Sequence, residues 1–81
     1  MSKWEKLLRR ITSLSRDMRF AELRRVLESY GYRGRPPISG SSHWTFRKRG
    51  KPPITIPANQ PVKRTYVRLV KDIIESEEGK S

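Results

Sequence analysis

His43-Trp44-Thr45-Phe46-Arg47, the turn Lys48-Arg49-Gly50-Lys51 and Ile54-Thr55-Ile56 carry a strand–turn–strand pattern at the middle of the chain. Successive side chains of a strand point to opposite faces. Trp44 and Phe46 therefore share one face of the first segment, while His43, Thr45 and Arg47 share the other. Ile54 and Ile56 alternate with Thr55 in the same way. Two alternating segments joined by a glycine-bearing turn predict a β-hairpin with its apolar side on a core and its polar side open.

Upstream, Tyr32 to Ser39 is a candidate third strand. Pro36 and Pro37 have no N–H to give to a ladder, so this strand belongs at an edge or a bulge. Before it, Phe20, Leu23, Val26, Leu27 and Tyr30 recur at helical spacing and predict a helix over 19–30, closed by Gly31. Trp4, Leu7, Leu8, Ile11 and Leu14 place a similar stripe on a short helix over 3–13.

Downstream of Pro57, the Ala58-Asn59-Gln60-Pro61 loop leads into a last helix over 63–75. Thr65 is its candidate cap, and Tyr66, Leu69, Val70, Ile73 and Ile74 are its buried stripe. The acidic residues from Glu75 onward are expected to fray. The fold class that follows is α+β: a three-stranded antiparallel sheet with helices on one face and the other face open. The expected organisation is an N-terminal helical extension over 1–16, one domain over 17–75 and a frayed tail over 76–81. A chain of 81 residues has room for one core.

The charge is as informative as the periodicity. Nineteen Lys and Arg against eight Asp and Glu leave a formal charge of +11, which points to a polyanion as partner. Between Glu28 and Asp72 no acid occurs in 43 residues, and that window holds Arg33, Arg35, Arg47, Lys48, Arg49, Lys51, Lys63, Arg64, Arg68, Lys71 and the only histidine. Short charge runs are usually solvated faces that keep a protein soluble. A window this long, crossing several elements, favours a phosphate backbone instead.

No apolar run approaches the roughly 20 residues of a membrane span, and the start MSKWEKLLRRITSL has no signal-peptide pattern, so no membrane contact is expected and the expected compartment is the cytosol. The absence of cysteine excludes disulfides, thiol nucleophiles and iron–sulfur or zinc-ribbon sites. Neither a metal nor a cofactor is expected. Chemistry is left to His43, carboxylates, hydroxyls and cations.

Gly40-Ser41-Ser42-His43-Trp44-Thr45-Phe46-Arg47, followed by Gly50 and Ile54-Thr55-Ile56-Pro57, resembles the signature of the HicA toxins of bacterial toxin–antitoxin systems. That family reads as a Gly-Ser-x-His turn and strand, an aromatic three residues on, a Gly-bearing hairpin and a Val/Ile-Thr-Val/Ile-Pro strand. Ala21 to Tyr32 looks like its first helix with the closing Gly-aromatic pair, and Lys63 to Ile74 looks like its second, so the resemblance spans about residues 18–75. The helix over 3–14 and the pair Pro36-Pro37 depart from the family's minimal pattern.

The resemblance implies an α-β-β-β-α fold like that of double-stranded-RNA-binding domains and a metal-independent endoribonuclease that cleaves mRNA and arrests growth. It also implies an acidic HicB-type antitoxin as partner, with the chain a monomer when free and part of a hetero-oligomer when neutralised. His43 matches the family's catalytic histidine. An imidazole can act as general base or acid on the ribose 2′-hydroxyl chemistry, and the candidate RNA contacts are Ser41, Ser42, Arg47, Lys48, Arg49, Lys51, Lys63 and Arg64. Gly40 and Ser41 can equally serve only to shape the turn, and Trp44 and Phe46 are better suited to packing than to stacking on bases. Two other functions fit the same sequence: a non-catalytic RNA-binding module, and a basic adaptor that docks an acidic protein through the Trp4-Leu7-Leu8-Ile11 stripe. That stripe would otherwise close over the domain's own core.

Overall fold

In the computed structural model, which describes residues 2–38 and 42–79, six elements follow one another. They are α1 (Lys3–Thr12), α2 (Phe20–Ser29), β1 (Arg33–Arg35), β2 (His43–Arg47), β3 (Ile54–Pro57) and α3 (Arg64–Glu78). The layout is the expected α+β order, α-β-β-β-α with one helix ahead of it. Ser2 and Glu5 start α1 with reciprocal side-chain-to-backbone bonds, each 3.1 Å, which satisfy two N–H groups that the helix itself cannot. Glu22 caps α2 by accepting from the Arg19 N–H at 2.9 Å. Its other oxygen accepts from Arg10 at 2.8 Å, and Arg10 also reaches Asp17 at 3.1 Å, so one guanidinium ties α1 to the start of α2.

The strands run antiparallel in the order β1-β2-β3. Arg33 lies opposite Arg47, Gly34 opposite Phe46 and Arg35 opposite Thr45; on the other side His43 faces Pro57, Trp44 faces Ile56, Thr45 faces Thr55 and Phe46 faces Ile54. The expected third strand is real but short. It ends at Arg35, where Pro36 and Pro37 stop donating, and it lies at the sheet edge as their chemistry requires. Gly34 has a packing reason: a Cβ there would sit 2.5 Å from Cε2 of Phe46, so only glycine lets that ring lie across β1.

The even-numbered side of β2 and β3 meets the helices. Phe46 and Ile56 are fully buried with Ile11, Met18, Leu23, Val26, Leu27, Val67 and Val70 in a single core cluster. Phe20, Trp44 and Phe46 form an aromatic group with centroids 5.3 to 6.4 Å apart, and the Arg24 guanidinium lies 4.7 Å above the Trp44 ring. Packing is thus the role of both aromatics. The α1 stripe closes over the same core, with Leu7 and Ile11 buried and Trp4 and Leu8 packed against it, which removes the surface that an adaptor reading needs.

Several expectations change. Leu14 lies beyond α1, in a left-handed conformation at φ 57°, and reaches the core from the loop. On α3 the buried stripe is Val67, Val70 and Ile74; Leu69 is 40% exposed, one helical step out of the stripe assigned to it. Lys63, not Thr65, occupies the N-cap position, and no side chain caps the helix there. The segment expected to fray from Glu75 is helical to Glu78, because Glu77 accepts from Lys48 at 2.9 Å and Glu78 from the Tyr30 hydroxyl at 2.8 Å. Residues 80–81 of the expected tail lie outside the described residues.

Candidate nucleic-acid interface

The odd-numbered positions of the sheet build the opposite face. β1 contributes Arg33 and Arg35, β2 contributes His43, Thr45 and Arg47, and β3 contributes Thr55, all exposed except the half-buried Thr45. Side chains directly opposite on neighbouring strands sit roughly 5 Å apart at Cβ, so Arg33 and Arg47 are two like charges held side by side. Such a pair costs stability. Among the described residues no ion pair joins Arg33, Arg35 or Arg47 to a carboxylate, and the repulsion is left for solvent or a bound anion to relieve.

Arg35, Thr45, Arg47 and His43 line an open groove that continues past Pro36, Pro37 and Ile38, whose side chain is fully exposed. His43 stands at the end of the face, opposite the buried Pro57. On its far side it borders a smaller cleft, shared with Asn59, Lys63 and Tyr66, at the start of α3. The imidazole thereby divides a cationic groove from a cleft of mixed character. A polyanion laid along the groove would bring a phosphate or a ribose to His43 while the arginines neutralise its charge.

The residues singled out from sequence divide into three groups. His43 and Arg47 lie on the face, Lys63 is exposed at the cleft beside its His43 end, and Arg64 is exposed at the start of α3. Arg49 is exposed in the hairpin turn, which Lys51 closes by donating its N–H to the Lys48 carbonyl at 3.0 Å. Lys48 and Lys51 are directed elsewhere. Lys48 continues the even-numbered side, lies 5.6 Å from the Tyr32 ring and pairs with Glu77, so its charge is already matched. Lys51 borders a recess with Asp72 and Glu77 on the helix side of the hairpin. Ser42 is half-buried, and its carbonyl accepts from the Ala58 N–H at 2.6 Å. Ser41, with the Gly40-Ser41 turn, lies outside the described residues.

Three members of this region lie outside the contact set expected from the sequence. Arg33 and Arg35 flank Gly34 with the strand period, and that alternation was the available signal. Tyr66, expected in the core stripe of α3, is half-buried and also borders the cleft beside His43. Among the described residues no group of three His, Cys, Asp or Glu side chains is placed to hold a metal ion, and no helix is long and apolar enough to cross a membrane. No family model, no curated protein and no solved structure matches the chain.

Proposed function

We propose that the chain is a HicA-type toxin: an endoribonuclease that works without a metal, holds RNA on the open sheet face and is neutralised by an acidic antitoxin. One observation carries the reading. The exposed face presents Arg33, Arg35 and Arg47, without carboxylate partners among the described residues, next to the chain's only imidazole. Cations without internal partners are suited to a phosphate backbone, and imidazole is the side chain that both takes and gives a proton near neutral pH.

The reaction this face suits uses the RNA's own nucleophile. The 2′-oxygen attacks the adjacent phosphorus, its proton passes to a base, and the P–O5′ bond breaks as that oxygen takes up a proton. The products are a 2′,3′-cyclic phosphate and a 5′-hydroxyl. His43 fills one of the two proton-transfer roles, and Arg47 and Arg35 stabilise the charge that builds on the phosphoryl oxygens. The second proton falls to water or to Lys63 or Tyr66 across the cleft. An acidic antitoxin covering the groove would meet the same unpaired arginines, giving fast and salt-sensitive capture in the cytoplasm.

The runner-up is a non-catalytic RNA-binding module. It is favoured by the rest of the face, where arginines and threonines bind but exchange no proton near neutral pH. Incubating the purified protein with RNA in excess EDTA decides between the two. Cleavage by the wild type, with binding but no cleavage by His43→Ala, supports the nuclease; a shifted band with intact RNA from both proteins leaves the binding module.

A further inference from the structure

The cleft on the far side of His43 differs from the groove in size and in chemistry. It encloses about 170 Å³, below the roughly 300–1,000 Å³ of pockets that take drug-sized ligands, which is room for one flat ring system. Its floor is apolar, from the buried Pro57 and Val62, and the Tyr66 ring borders it. At its exposed rim Asn59 brings an amide that both donates and accepts, and Lys63 brings a cation. An apolar slot with an aromatic wall and one amide at the rim matches the two properties of a nucleobase, a flat face that stacks and an edge that hydrogen-bonds.

Val62 is anchored, which gives the slot a fixed floor. Its N–H donates to the Met18 carbonyl at 2.9 Å, and its side chain belongs to the core. Asn59, in contrast, sits on an exposed loop and supplies no core packing. Floor and rim thus separate stability from recognition.

We infer that this cleft is a base subsite, taking one unstacked nucleobase of the nucleotide whose ribose lies at His43, with Asn59 reading the edge of that base. The inference rests on the reading of the sheet face as an RNA surface. It makes the substrate an unpaired strand: in a duplex the bases are stacked and paired, and none is free to enter a cleft beside the backbone. The groove tracks phosphates without regard to sequence, and the cleft adds the choice of nucleotide.

The test titrates the full chain with short RNA oligonucleotides carrying 2′-fluoro riboses, which keep bases and phosphates but have no nucleophile. Backbone amide NMR shifts and affinities are compared for the single strand and for the same strand annealed to its complement. The expected result is a shift of the Asn59, Val62 and Tyr66 amides with the single strand, and binding about tenfold tighter than to the duplex, the scale of one stacked base. Asn59→Ala should keep binding but narrow the differences among the four homo-oligomers to about twofold, the loss expected when an edge contact is removed from a stacking site. Equal affinity for duplex and single strand overturns the proposal, as do unmoved cleft amides while Thr45 and Arg47 shift. Because these oligonucleotides cannot be cut, failure to cleave ordinary RNA would count against the nuclease and leave the base subsite standing, whereas absence of all binding would remove both.

Discussion

The two faces of β2 are made from alternate residues of one pentapeptide, and they solve opposite problems. Trp44 and Phe46 point into a core where Phe46 is fully buried and ring meets ring. His43, Thr45 and Arg47 point the other way, onto a surface that sets Arg47 opposite Arg33. On the covered side several cations are engaged: Lys48 finds Glu77, Arg24 finds Glu28 and lies over Trp44, and Arg10 holds both Asp17 and Glu22. The open face carries Arg33, Arg35 and Arg47, which have no carboxylate partner among the described residues. The proposed RNA surface rests on this contrast between Lys48 and Arg10, which meet carboxylates, and Arg33, Arg35 and Arg47, which meet none among the described residues.

The sharpest way to break this contrast is to remove one residue from each side. His43→Ala should lower RNA cleavage by about 100- to 10,000-fold, the usual worth of one general acid or base, in a chain that still folds. Retained cleavage by a folded His43→Ala protein would sink its assigned role. Phe46→Ala should do the reverse, costing about 3–5 kcal/mol of stability in a urea titration with chemistry lost only as the fold is lost. Gly34→Val attacks the same face from its neighbour. With a Cβ that would lie 2.5 Å from the Phe46 ring, overpacking should cost about 1–3 kcal/mol, and an unchanged urea midpoint would show that the ring moves freely.

Which parts of this contrast could be read from sequence depends on how far apart the interacting residues are along the chain. The hairpin was legible because period-two alternation in β2 and β3 is local and its turn carries Gly50, at φ +79°. On α3, Tyr66, Val67, Leu69, Val70, Ile73 and Ile74 support two overlapping stripes, and only packing against the sheet and α1 selects Val67 over Leu69. Glu77 and Glu78 read as a tail because their partners, Lys48 and Tyr30, are 29 and 48 residues away. Met18 and Val62 are isolated apolar residues in polar loops with no period to reveal them, yet both are buried and joined by a backbone hydrogen bond. Within the site, His43 and Arg47 were legible from motif and alternation. The position of Lys48 follows from the strand's parity carried one residue further, which puts it on the even-numbered side where it meets Glu77.

Single charge removals separate the cations of the two faces. Arg33→Ala and Arg47→Ala should each weaken RNA binding across sequences and reduce the slope of log affinity against log salt by about 1, as expected when a phosphate contact is lost. Lys48→Met, on the covered face, should leave that slope where it is. If Lys48→Met lowers the slope as much as Arg47→Ala does, the division into matched and unmatched cations is wrong.

The smallest expected effect lies at the far end of the covered face. Burial, and then the Glu78 carboxylate that accepts its hydroxyl, push Tyr30 up to about 12. The folded chain therefore keeps this phenol protonated at a pH where the unfolded chain, with an ordinary tyrosine near about 10, has begun to lose the proton. Its contribution is complete below that ordinary value and is lost as pH rises through about 12. Wild type and Tyr30→Phe share every other titrating group, so the difference between their urea midpoints isolates this one. That difference should hold steady from pH 7 to about 9.5 and shrink above it, as the ordinary tyrosine range is entered. A difference that stays constant to pH 11 would mean that neither burial nor the bond to Glu78 holds the proton on Tyr30 in the folded chain. RNA affinity at neutral pH should be the same for both proteins, because the hydroxyl serves the packed side of the molecule and the groove lies on the other.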